Sequence, residues 1–252
     1  MQAVILAGGK GTRLSEETQG RPKPLVEAGG QPLLWHIMQN YARFGVTHFV
    51  VLVGYKGHQI REYFANYWLH QSDITFDLAA PNLKIHEIRS LPWKVTVVDT
   101  GLETQTGGRI SRIKDLISGD FLLTYGDGVA DVDINELIRE HNASGSIATL
   151  TAVQPPARFG ALDLKGTRVE GFIEKPQGDG GWVNGGYFCL SPKIFDFLGD
   201  DLSSFEADTL PIIAEQGKLN SYKHSGYWQP VDTIRDLARL EEAISAKRLP
   251  WV

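Results

Sequence analysis

AVILAGGKGTRL, residues 3–14, is the stretch on which the fold turns. Its first five residues are apolar without interruption, as expected of a strand buried on both faces of a parallel sheet. The chain then passes straight into Gly8, Gly9, Lys10, Gly11, Thr12 and Arg13. Glycine accepts positive φ and close approach, so such a loop can turn backbone N–H groups toward an anion. Lys10, Arg13 and, after the next turn, Lys23 bring cations to the mouth of the strand, where open α/β sheets bind ligands. The spacing fits neither a Walker A loop nor a dinucleotide fingerprint, because the lysine precedes the last glycine and no third glycine follows at the required offset.

Downstream, PLLWHIMQNYARFG places Leu33, Leu34, Ile37, Met38, Tyr41 and Phe44 at helical spacing with Gly45 as a stop, and FVVLV at 49–53 reads as the next strand. That is a βαβ unit. The alternation predicts a helix over 57–69, a strand at 95–98, a helix near 108–117, a strand FLLTY at 121–125, a helix at 133–144 and a strand at 147–153. The pattern implies an α/β fold with a doubly wound, mostly parallel, Rossmann-like sheet. After 155, RFGALDL, VEGFIEK and GGYFCL are strand-like segments broken by Gly and Pro, which suggests a small appended β-rich portion. The end returns to helix, with Ile234, Leu237, Leu240 and Ile244 on one face of DTIRDLARLEEAISAKR. No linker divides the chain, so residues 1–252 are expected to form a single domain, with a doubly wound half over 1–153 and a β-rich and helical part over 154–252.

Lys and Arg number 25 against 30 Asp and Glu, a formal charge of -5, so the global field does not draw the chain to nucleic acid or an anionic membrane. Any polyanion site must be built locally. A lone Cys189 forms no internal disulfide, and neither a signal-peptide pattern nor a membrane-length apolar run occurs. A cytoplasmic location is expected. The histidines show no metal-ligand spacing.

Several further motifs stand in order along the chain: GTRLSEETQGRPKPLVEAGGQPLL, YGDGVAD, EKP, VNGGYF and WQPVDT. Together with the first loop they resemble the sugar-phosphate nucleotidyltransferase family, over essentially the whole chain. In the base-choosing region, VDTGLETQTGGRISRI resembles the cytidylyl branch, with Thr104, Gly107, Gly108 and Arg109 where the uridylyl and thymidylyl branches carry a glutamine-containing segment. The resemblance implies an enzyme that moves CMP from CTP to glucose 1-phosphate, releasing pyrophosphate, with Mg²⁺ as cofactor and a homo-oligomeric assembly. A uridylyl- or thymidylyltransferase, or a silent sugar-nucleotide-binding subunit of the same fold, are the alternatives.

Residue by residue, the resemblance implies that Leu6, Ala7, Gly8, Gly9, Lys10, Gly11, Thr12, Arg13, Lys23, Thr104, Arg109 and Gly126 meet the nucleotide. Arg13 would hold the leaving pyrophosphate, Lys23 the triphosphate and Lys175 the attacking phosphate. Glu174, Lys175, Asn184 and Gly185 would meet the sugar phosphate. Asp127, at the carboxyl end of a buried-type strand, and Asp232 would hold the metal, since Mg²⁺ favours one or two carboxylates with water and phosphate oxygens completing its shell. Both aspartates also suit turns or helix caps. Asp131 and Asp133 are expected to cap the following helix. A sugar phosphate is already anionic at neutral pH, so no general base is required. Arg21 and Gln31 stand where lysine is common in the family, and Cys189 where an aliphatic residue is common.

Overall fold

The computed structural model describes residues 1–11, 20–80, 82–155, 161–165, 167–173 and 181–252. Thr12, Arg13, Glu174 and Lys175 lie outside the described residues.

The opening strand is β1 (Gln2–Ala7), and every residue after Gln2 is buried. It is flanked by β2 (His48–Val53) and β4 (Phe121–Tyr125), both parallel to it, and β3 (Lys94–Asp99) lies parallel outside β2. Beyond β4 come β6 (Val183–Leu190), β5 (Ala148–Val153) and β7 (Leu219–Lys223), giving the order β7-β5-β6-β4-β1-β2-β3. Only β6 runs against its neighbours. The doubly wound, mostly parallel sheet read from the sequence is the one observed.

The uninterrupted apolar strands are explained by two cores, one on each face. Ala3, Ile5 and Ala7 point into one and Val4 and Leu6 into the other, the two-residue alternation of an extended chain. On the first face packs α1 (Leu33–Arg43), which buries Leu33, Leu34, Ile37, Met38 and Tyr41, as its 3.6-residue pattern predicts. Gly45 follows at φ 81°, a left-handed stop that disfavours a side chain. The same face takes Ile60 of α2 (Gly57–His70), Leu137 of α4 (Ile134–Ser144), and Leu240 of α6 (Ile234–Ser245). The second face is covered by Ile110 of α3 (Thr106–Ser111) and by Ile194, Phe205, Leu210 and Ile213 from residues 192–215, which include α5 (Leu210–Glu215).

Three differences from the sequence reading have physical causes. GGYFCL is not appended: it is the end of β6, inserted between β4 and β5, with all of Gly185–Leu190 buried. The predicted helix near 108–117 starts earlier and breaks into α3 and a 3-10 turn at Lys114–Leu116. A hairpin of Ser72–Asp77 against Asn82–Ile88 escaped the pattern search because both of its faces are largely solvated. The second described hairpin, Ala161–Lys165 with Arg168–Ile173, is the β-rich piece outside the main sheet that the sequence led one to expect.

Candidate active site

The carboxyl ends of β1 and β4 open onto a cavity of about 390 Å³. The chain returns to it from three directions. Leu6, Ala7, Gly8, Gly9 and Gly11 form one wall, Thr104, Gln105, Thr106 and Arg109 another, and Tyr125, Gly126 and Asp127 with Lys23 and Asp232 a third. Of the loop glycines described, only Gly11 takes positive φ, at 62°. Gly9 has open space around its α-carbon, which lets a ligand approach the backbone.

Lys23, Asp127 and Asp232 are separated by a hundred residues or more and meet here. The Lys23 ammonium donates to Asp127 Oδ2 at 2.7 Å and to Asp232 Oδ1 at 2.8 Å. Its side chain is 8% exposed, against 38% and 36% for the two carboxylates, so the cation is the buried member and both acids face the cavity. Burial works against the Lys23 charge, but the attraction of and hydrogen bonds to Asp127 and Asp232 more than offset it, and its pKa lies above the ordinary lysine value. Lys23 stays charged at neutral pH.

The capping alternatives for the aspartates are resolved by their neighbours. Thr233, not Asp232, caps α6: its side chain accepts from Asp236 N–H while Asp236 accepts from Thr233 N–H, a capping box. Asp133 caps α4 by accepting from Glu136 N–H at 3.0 Å, as expected. Asp131 instead lies 3.2 Å from His224 Nε2 and does not cap that helix. Among the described residues no cluster of three His, Cys, Asp or Glu occurs. Two carboxylates already bracketing one cation and facing a cavity are nevertheless a donor set that fits a hard divalent ion.

Other expected ligand residues are employed differently. Lys10 pairs with the exposed Glu103 at 2.8 Å and does not line the cavity. Arg109 does line it, yet its guanidinium is held by the protein. It donates to Thr100 Oγ1 at 2.6 Å, Gly101 O at 2.8 Å, Gly8 O at 3.2 Å, Val53 O at 3.3 Å and Leu102 O at 3.4 Å. Arg109 thus ties the loops after β1, β2 and β3 together. A Cβ at Gly8 would overlap this guanidinium, a reason for glycine there beyond any phosphate nest. Burial and, next, the charge of Arg112 hold the Arg109 pKa below the usual arginine value.

Gly107 and Gly108 likewise serve packing. Their N–H groups, at the start of α3, donate to Ser203 O at 2.9 and 3.2 Å. A Cβ on Gly108 would sit 2.6 Å from the Asp201 α-carbon, so only glycine lets the 200–204 loop dock. The same docking delivers residues the sequence did not single out. Glu206 accepts from Tyr125 Oη at 2.5 Å, from Thr106 Oγ1 at 2.6 Å and from Ser204 Oγ at 3.0 Å. Burial, then the Glu206 carboxylate, pushes the Tyr125 phenol well above its ordinary pKa, so it remains a donor. On the other flank, Asn184 Oδ1 accepts from Gly186 N–H, and Gly185 O accepts from the Trp228 indole. Asn184 and Gly185 therefore stand at the start of β6, on the same end of the sheet as Asp127.

A nucleotide-sized cleft at the carboxyl ends of the strands, glycine-walled and floored by a lysine between two aspartates, defines a phosphoryl-transfer class of site. The chain belongs to the Nucleotidyl transferase family, whose profile matches residues 2–247. It is 51% identical over 253 residues to the glucose-1-phosphate cytidylyltransferase of Salmonella typhimurium, covering 100% of this chain and 98% of that relative. It is 42% identical to the probable glucose-1-phosphate cytidylyltransferase of Bacillus subtilis, covering 100% and 99%. Among solved structures, HddC from Yersinia pseudotuberculosis is similar, with a TM-score of 0.70, 26% identity, and 96% and 99% of the two chains covered.

Proposed function

We propose that this chain transfers CMP from CTP to α-D-glucose 1-phosphate, giving CDP-glucose and pyrophosphate. The observation that carries the reading is the convergence of Lys23, Asp127 and Asp232, far apart in sequence, on the floor of one cavity. The choice of substrates rests on the full-length relatives.

A phosphate oxygen of the sugar phosphate attacks the α-phosphorus of CTP in line, the P–O bond to the β-phosphate breaks, and pyrophosphate departs with its electron pair. The protein's task is to align two anions and hold positive charge where negative charge gathers. The backbone of Leu6–Gly9 and Gly11 forms the wall along which the nucleotide lies. The Lys23 ammonium, buried and charged, offsets the negative charge of the two aspartates that face the cavity and so eases the approach of the phosphates. Arg13 and Lys175 complete this reading as partners of the leaving pyrophosphate and the attacking phosphate. Mg²⁺ would be held by Asp127 and Asp232 and would supply further positive charge to the phosphate oxygens. Arg109, fixed by its carbonyl acceptors, and Thr104, 8% exposed, set the wall against which the base is read.

The assembly is read as a homo-oligomer located in the cytoplasm, independent of nucleic acid and membrane. The exposed apolar residues of the projecting hairpin, Phe76, Leu78 and Ile88, support contact with a second copy. No helix among the described residues is long and apolar enough to cross a membrane.

Pyrophosphate release, measured with glucose 1-phosphate and Mg²⁺ across CTP, UTP, dTTP, GTP and ATP, tests the assignment. CTP is expected to dominate. Equal or faster turnover of UTP or dTTP rejects the cytidylyl reading, and no pyrophosphate with any triphosphate leaves the silent-subunit alternative standing.

A further inference from the structure

Tyr125 and Thr106 come from different elements and both line the cavity, and the carboxylate behind them is shared. Tyr125 Oη–H and Thr106 Oγ1–H each donate to Glu206, at 2.5 and 2.6 Å, one to each carboxylate oxygen. A hydroxyl has one proton. With that proton committed backward, the oxygen can only accept from whatever occupies the cavity. Thr106 Oγ1 also receives Phe205 N–H at 2.9 Å, which helps hold its rotamer. Ser204 adds a third hydroxyl to the same carboxylate, so Glu206 itself is held in place.

We propose that Glu206 is a positioning residue that sets the hydrogen-bond polarity of this wall: it draws the Tyr125 and Thr106 protons away from the cavity and so selects a nucleoside group that donates. The inference rests on the nucleotidyl-transfer reading and deepens it. Two parts of CTP carry suitable donors, the 4-amino group of the base and the ribose hydroxyls. UTP carries a carbonyl acceptor in place of that amino group. A pair of hydroxyls that can only accept therefore disfavours UTP if it meets the base, and disfavours deoxynucleotides if it meets the ribose.

Glu206→Gln tests this, because a carboxamide keeps the shape but offers one acceptor and one donor group. One of the two hydroxyls must then reverse and point its proton into the cavity. Steady-state kcat/KM is measured for CTP, UTP, 2′-deoxy-CTP and 3′-deoxy-CTP with wild type and variant, and folding is checked by circular dichroism. The expected result is a fall of about tenfold in either the CTP/UTP or the CTP/deoxy-CTP ratio, the effect of one misdirected hydrogen bond. The ratio that moves identifies the base or the ribose as the partner. A uniform loss across all four substrates, or ratios unchanged within about twofold, overturns the proposal. Should Glu206→Gln fail to fold, Thr106→Val is read by the same two ratios and the same criteria. If the wild type itself releases no pyrophosphate from CTP, the functional reading fails and not the polarity argument.

Discussion

Replacing Arg109 by methionine separates two jobs that its position allows. The residue is 4% exposed, and its guanidinium bridges carbonyls at the carboxyl ends of β1, β2 and β3. Methionine keeps an unbranched stem and removes every donor. Counting only the three contacts at 3.2 Å or shorter, to Thr100, Gly101 and Gly8, and assigning each ~1–1.5 kcal/mol net, the loss comes to about 3–4.5 kcal/mol. With a urea m-value near ~3 kcal/mol/M, the midpoint should fall by about 1–1.5 M without nucleotide present. Urea titration followed by tryptophan fluorescence measures it. Arg109→Lys should recover part of the loss, because an ammonium donates three bonds but cannot span all three loops at once. A midpoint shift below about 0.3 M for Arg109→Met would refute the clamp and return the guanidinium to the ligand alone.

Asp127→Asn should lower kcat about 10²–10³-fold with a stability change under about 1 kcal/mol, since its carboxylate faces the cavity and is 38% exposed. Unchanged turnover in the pyrophosphate assay would remove it from the reaction. Gly9→Ala meets nothing within 4 Å and should leave the thermal midpoint unmoved while weakening CTP binding. By contrast, Gly108→Ala drives a methyl into the Asp201 backbone and should cost about 1–3 kcal/mol, seen as a lower melting temperature. Burial holds His36 and His141 below the usual histidine value of 6.5, so the unfolded chain binds those protons first and stability should decline as pH falls through 6.5 toward the folded values. Imidazole proton shifts followed by NMR check this, and a His36 midpoint above 6.5 would contradict it.

The sheet was legible because AVILA and FVVLV are apolar at every position and FLLTY opens on three apolar residues, which burial on both faces explains. Helix α1 was legible for the converse reason, a stripe of large residues and then a polar face. The placement of VNGGYFCL was not legible, since strand direction and order depend on connections that leave no local mark. Lys23, Asp127 and Asp232 were found as motif members, and the structure brings the three side chains together. The glycines of TQTGGRI were read only as a mark of the cytidylyl branch, while at 107 and 108 they make room for the 200–204 loop. Glu206 was missed because FEADT has no pattern of its own. Its importance lies in which hydroxyls reach it, a fact of packing and not of spacing.

The reversed direction of β6 has a consequence for which parts of the chain can vary beside the site. A parallel strand offers the ligand cleft its last residues, whereas β6 enters the sheet from the cleft side and offers its first, Asn184 and Gly185. The chain therefore leaves the sheet at Val153 and rejoins it at Val183 on that same rim, paired residue to residue across the gap. The described hairpin between them, Ala161–Lys165 with Arg168–Ile173, pairs with no strand of the main sheet. Changes in that hairpin therefore leave every ladder of the main sheet intact.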